Sequence, residues 1–191
     1  MAAASFSMDP DRRVIIVDCD LRNPTLDKHL AVGIQPGLLQ YLNNGDLGPY
    51  CYVRRFKNLY LMTAGGTTPN PVELLAMNKM KDLIEYLRTD FDTIILDVPP
   101  LAPIPDARIL AALSDGLIMV VRMGKTPYRS IENAFKTVDR DKVLGVVLND
   151  VQAMPFHSLY SYSYGQDGYE NRYLNSNNRK IRNTPRNYLG S

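Results

Sequence analysis

The stretch that most constrains this chain is Val14 to Pro24, VIIVDCDLRNP. Four aliphatic residues run without a break into Asp18, Cys19, Asp20, Leu21 and Arg22. A short apolar run ended by charged and turn-forming residues is the pattern of a parallel strand buried on both faces. In open α/β sheets ligands bind beyond the carboxyl ends of such strands. Thr93 to Leu96, followed by Asp97-Val98-Pro99-Pro100, repeats the pattern. The chain is therefore expected to gather its chemistry between two acidic strand ends.

The rest of the sequence alternates in period. Strands are expected over Arg13–Cys19, Asn58–Thr63, Asp92–Asp97, Gly116–Val121 and Leu144–Asn149. A short helix is expected over Leu38–Leu42, between Pro36-Gly37 and Asn43-Asn44-Gly45. The clearest helix spans Pro71–Arg88, where Val72, Leu75, Ala76, Met80, Leu83, Ile84 and Leu87 recur at helical spacing. Two more are expected over Asp106–Leu113 and Tyr128–Arg140, and Ala2 to Met8 reads as the last turns of another. Strands alternating with helices predict an α/β domain, a mostly parallel sheet covered by helices on both faces.

After Pro155 the aliphatics give way to Tyr, Asn, Ser and Arg, and Leu159, Leu174, Ile181 and Leu189 are too few for a second core. Residues 1–155 thus form the folded domain and 156–191 a flexible tail. The tail holds Tyr160, Tyr162, Tyr164, Tyr169, Tyr173 and Tyr188. From His157 to Ser191 five Lys/Arg face two acids, a charge of +3 that leaves −1 for the rest. A near-neutral globule with a basic tail makes no case for nucleic-acid binding by its body. Cys19 and Cys51 lack metal or redox spacing and fit a reducing compartment. No apolar run reaches the ~20 residues of a membrane span, and the first eight residues lack the pattern of a secretion signal. The chain is expected to be cytoplasmic.

Each motif has a plain structural reading beside a chemical one. Asp18 and Asp20 suit magnesium or a proton acceptor beside a triphosphate, and equally suit the start of the next helix. Arg22 suits a phosphate or another subunit's carboxylate. Asp97 is a second magnesium acid or a loop start. Pro69-Asn70-Pro71-Val72-Glu73-Leu74-Leu75 is good helix-start chemistry on its own. The tail tyrosines are phosphorylatable phenols, a stacking surface for single-stranded nucleic acid, or a low-complexity tract. His29 and His157 stand apart and are read as ordinary.

Taken together these motifs resemble those of the bacterial tyrosine kinases of polysaccharide biosynthesis, within the deviant P-loop group that includes septum-site and partition ATPases. VIIVDCDLR resembles their Walker A′ motif, IILDVPP their Walker B motif, and PNPVELL a segment between the two; the tyrosine run resembles their autophosphorylated cluster. The resemblance covers roughly Arg13 to Tyr173 and implies a three-layer P-loop NTPase-like fold that binds ATP and Mg2+. Asp18, Asp20 and Asp97 would be catalytic, with Asp18 and Asp97 on the metal. Arg22 and Asn149 would contact the nucleotide, and Tyr160, Tyr162, Tyr164, Tyr169 and Tyr173 would accept phosphate. Implied partners are a membrane-spanning chain-length regulator, further copies of the kinase and a cognate tyrosine phosphatase, at the inner face of the plasma membrane and with no nucleic acid.

One motif departs from that pattern. GxxxxGK[ST] occurs nowhere in the chain, and Gly65-Gly66-Thr67-Thr68 lacks the Lys and follows the wrong strand. Without it no backbone amides cradle the phosphates and no Lys reaches them. The expectation is an N-terminally truncated domain lacking the P-loop strand, with unpaired backbone inside its sheet and little ATP-driven phosphoryl transfer. A non-catalytic scaffold or phosphorylation substrate, or a partition-type ATPase, are the alternatives.

Overall fold

The structure is a computed structural model, which describes residues 9, 11–32, 36–46, 52–54, 57–101 and 105–151. The chain divides into two units, Met1–Asn149 and Asp150–Ser191. The tail, the expected boundary after residue 155 and the segment Ala2 to Met8 lie outside the described residues.

β1 (Val14–Asp18) is the centre of the fold. It is followed by α1 (Leu26–His29), α2 (Leu38–Asn44), β2 (Val53–Arg54) and β3 (Leu59–Met62). Next come α3 (Pro71–Leu75), α4 (Asn78–Asp90), β4 (Thr93–Asp97), α5 (Asp106–Leu113) and β5 (Leu117–Arg122). α6 (Tyr128–Thr137), a 3-10 turn (Arg140–Lys142) and β6 (Val143–Asn149) complete the first unit.

β1 lies between β3 and β4, parallel to both, and the two-residue β2 pairs antiparallel to the far edge of β3. As its apolar run requires, β1 is buried on both faces. Ile15 and Val17 pack with Leu42, Met62, Leu75, Met80, Leu83 and Leu87, from α2, β3, α3 and α4. Val14 and Ile16 pack the opposite way with Leu59 and Leu61, covered by Leu26, Leu30 and Val32. β5 and β6 form a separate parallel pair. Among the described residues β4 pairs only with β1, and β5 only with β6. The apolar β4 is accordingly only half-buried along Thr93–Leu96, unlike β1.

The expected helix Pro71–Arg88 is two helices, and packing explains the break. Leu75 and Met80 are both fully buried, yet five residues in one helix would set them about 140° apart. Met77 adopts an extended conformation (ψ 152°) between α3 and α4, which restarts the helix so that both side chains enter one core. α6 ends at Thr137 rather than Arg140. α1 and β2 carried too few residues for a periodic signal.

Gly37 and Gly65 tie α2 to the chain leaving β3. A Cβ at Gly37 would run into the Thr63 carbonyl, and Gly65 holds a φ of 74°. Gln40 locks the junction, accepting from the Gly37 N–H at 2.7 Å and donating to the Gly65 carbonyl at 2.9 Å.

Candidate functional site

Asp18 and Asp97 end neighbouring parallel strands and are register partners, so their carboxyls leave the sheet side by side. The next residue closes the pair, with Cys19 N–H donating to the Asp97 carbonyl at 2.8 Å. Asp18 is 1% exposed. Beyond it the chain curls tightly around its own carboxylates. The two Asp18 carboxyl oxygens accept from Asp20 N–H (3.1 Å) and Leu26 N–H (3.3 Å). Asp20 Oδ1 accepts from the backbone N–H of Arg22 (3.2 Å) and Asn23 (2.9 Å). This turn is how residues two apart, which would diverge on a strand, become neighbours.

Burial dominates the electrostatics. Loss of solvation pushes the Asp18 carboxyl up to about 6, with the Asp20 and Leu26 amides opposing and the charges of Asp97 and Asp20 adding to the rise. Asp97, whose side chain reaches solvent, is also raised, by desolvation first and the Asp20 charge second, with His29 opposing. Cys19, fully buried beneath the pair, has its thiol pushed well above the ordinary value, again chiefly by burial. Three carboxylates therefore share one field.

Magnesium suits that arrangement better than a cation needing an all-protein cage. Among the described residues no group of three or more His, Cys, Asp or Glu could hold a metal ion. Mg2+ characteristically takes one or two carboxylates and completes its octahedron with water and substrate phosphates. Asp18 and Asp97 can supply that pair. Each Asp18 oxygen spends one acceptor position on an amide and keeps another.

Arg22 turns out to be occupied. Its Nε and one terminal nitrogen donate to the two carboxyl oxygens of Asp106 at 2.8 and 3.1 Å, a bidentate fork. Asp106, the first residue of α5, is 0% exposed. The sequence reading did not single out Asp106. Its only signal is a Pro105-Asp106 helix start, which does not distinguish a surface cap from a buried anion. Asn149 ends β6 beside its register partner Arg122, and its carbonyl accepts from Met123 N–H at 2.9 Å. Tyr160, Tyr162, Tyr164, Tyr169 and Tyr173 lie outside the described residues. His29 lies in α1 with its ring nitrogen Nδ1 2.8 Å from the Thr25 carbonyl oxygen.

The parallel α/β sheet with helices is shared with P-loop NTPase-like kinase domains, among them the VpsO kinase domain, which superposes with a TM-score of 0.71 at 28% identity over 78% of this chain and 75% of that one. No family model matches the chain. Individual proteins do. The tyrosine-protein kinase CpsD of Streptococcus agalactiae is 32% identical over 165 residues, covering 84% of this chain and 70% of CpsD. The succinoglycan biosynthesis transport protein ExoP of Rhizobium meliloti is 33% identical over 168 residues, 85% of this chain. The kinase domain of the Escherichia coli tyrosine kinase ETK superposes with a TM-score of 0.72 at 26% identity, over 78% of this chain and 59% of that one. The chain belongs to the bacterial tyrosine-protein kinase family. It spans only 21% of ExoP, and likewise 21% of the tyrosine-protein kinase ptk of Acinetobacter johnsonii.

Proposed function

We propose that this chain is the kinase-type domain of a polysaccharide export system, built for Mg2+-ATP-dependent transfer of phosphate to tyrosines of its own tail or of a neighbouring copy. The observation that carries the reading is the in-register pair Asp18–Asp97 at the end of a buried parallel sheet, in a chain related to tyrosine kinases. Magnesium held by the pair would bridge and neutralise the phosphates. Asp18, beside the metal position and next to Asp20 in the turn, is also assigned the uptake of the phenolic proton. Asp20 orients the turn through its two amide bonds, and Asn149 is assigned to the base of the nucleotide. Tyr160, Tyr162, Tyr164, Tyr169 and Tyr173 are the acceptors. Residues 156–191 act as the tail and 1–155 as the domain.

No helix among the described residues is long and apolar enough to cross a membrane. A cytoplasmic place at the inner membrane face, docked to a membrane-spanning chain-length regulator and reset by a phosphatase, follows from the reading of the chain as part of an export system like that of ExoP.

The lack of GxxxxGK[ST] in these 191 residues favours a second reading, a scaffold or substrate phosphorylated in trans. The two separate in one experiment. The chain is incubated with Mg2+-ATP, alone and with a designed strand ending in GxxxxGK[ST] joined ahead of Met1, and phosphotyrosine is mapped by mass spectrometry. The kinase reading expects little transfer by the chain alone and tail phosphorylation by the extended one, lost on Asp97→Asn. Absence of transfer by both, with phosphorylation by an added complete kinase, leaves the substrate reading.

A further inference from the structure

We propose that Arg22 is a positioning residue, whose bidentate bond to Asp106 clamps the Asp18–Asp20 turn against the helix that follows Asp97. Its importance for phosphoryl transfer rests on the kinase reading above; the clamp itself does not.

Arg22 is held at both ends. Its backbone N–H donates to Asp20 Oδ1, and its guanidinium grips Asp106. Asp20 Oδ1 also takes Asn23 N–H, so the Asp20 carboxylate is fixed by the stretch of chain that the guanidinium anchors. On the other side, Asp106 opens α5, nine residues after Asp97 along the Val98-Pro99-Pro100 loop. The two acid-bearing loops leave different strands, and this fork joins them 84 residues apart in sequence.

The chemistry makes the joint persistent. A fully buried carboxylate without a partner is strongly disfavoured, and the guanidinium fork of Arg22 gives Asp106 that partner. Two of the five guanidinium N–H groups are committed to Asp106 in parallel geometry. That commitment fixes the direction of the side chain and leaves three N–H groups of a partly exposed guanidinium uncommitted to Asp106. Lysine is no substitute, because a point charge cannot grip both oxygens in a plane.

The test uses the full 191-residue chain, 15N-labelled, as wild type and as Arg22→Gln, Arg22→Lys and Asp106→Asn. Amide exchange is followed at Asp20, Arg22, Asn23 and Leu26, with Ile16 of β1 reporting global opening. In Arg22→Gln and Asp106→Asn the turn amides should exchange at least ~10-fold faster relative to Ile16, and Arg22→Lys should recover only part of the protection. Mn2+ alone serves as the metal probe, and its affinity should fall ~10-fold or more in the same variants, as when the partner of a ligand-bearing segment is lost. Equal acceleration at the turn and at Ile16, or no change at the turn, would overturn the clamp. Faster turn exchange in the variants, together with a wild type that binds no Mn2+, would keep the clamp and sink the metal reading instead. If Arg22→Gln does not fold, the near-isosteric Asp106→Asn decides through the Arg22 Nε–H resonance. That resonance should exchange slowly in wild type and fast in the variant, and slow exchange in both would refute the proposal.

Discussion

The buried carboxyl at the end of β1 should make this domain lose stability as the pH rises through the weakly acid range. Burial holds the Asp18 carboxyl at about 6, against 3.8 in an open chain. Between those values the native state carries one proton more than the unfolded state. Stability then falls with rising pH by about 1.4 kcal/mol per unit. Over roughly two units the loss is on the order of 3 kcal/mol, fully spared below the lower value and complete above the upper one. Asp18→Asn removes the titration, because the amide is neutral throughout. It also leaves one of the Asp20 and Leu26 amides without its acceptor, a cost of about 1–3 kcal/mol that does not vary with pH. The assay is urea unfolding of both proteins at pH 3.5 and pH 7 in chelator, followed by circular dichroism. Subtracting one protein from the other cancels most other titrations. The variant should gain about 3 kcal/mol on wild type between the two pH values. A difference constant to within about 0.5 kcal/mol would show that Asp18 is not held neutral by burial, and the account of the site's field would fail.

Other consequences are simpler. Leu83→Ala, at a fully buried position packed under β1, should cost about 2–5 kcal/mol in the same unfolding assay. Gly37→Ala should destabilise α2 against the β3 exit through the clash with the Thr63 carbonyl, read as a lower thermal midpoint, whereas Gly124→Ala meets no neighbour and suffers only its φ of 70°. Cys19 should resist an aromatic disulfide reagent in the native state and react once urea is added, because its thiol is both buried and raised.

Much of this was legible in residue order. VIIVD and TIILD announced parallel strands because a short continuous aliphatic run between turn-forming residues suits a sheet interior, and the expected burial is complete in the first and only partial in the second. Their pairing in register was not legible, since strand neighbours are set by crossovers rather than by local pattern; only the shared ending in Asp hinted at it. The break between α3 and α4 was hidden because Leu75 and Met80 are individually compatible with one helix and jointly are not. The destination of Arg22 was hidden for the same kind of reason, its partner lying 84 residues away and bearing only the signature of a helix start. Lack of the family's P-loop strand was expected to leave unpaired backbone inside the sheet. The half-buried β4, pairing only with β1 among the described residues, is where that expectation can be examined.

The proposal most in need of a test is that Asp18 and Asp97 form the magnesium side of a nucleotide site. Calorimetric titration of Mg2+-ATP tests it most directly, into the chain alone and into the chain carrying the designed GxxxxGK[ST] strand, with Asp18→Asn and Asp97→Asn versions of each. The account predicts no heat from the folded chain alone and micromolar binding by the extended one, weakened at least ~10-fold by either substitution. Micromolar binding by the chain alone, or binding by the extended chain that ignores both aspartates, would contradict it.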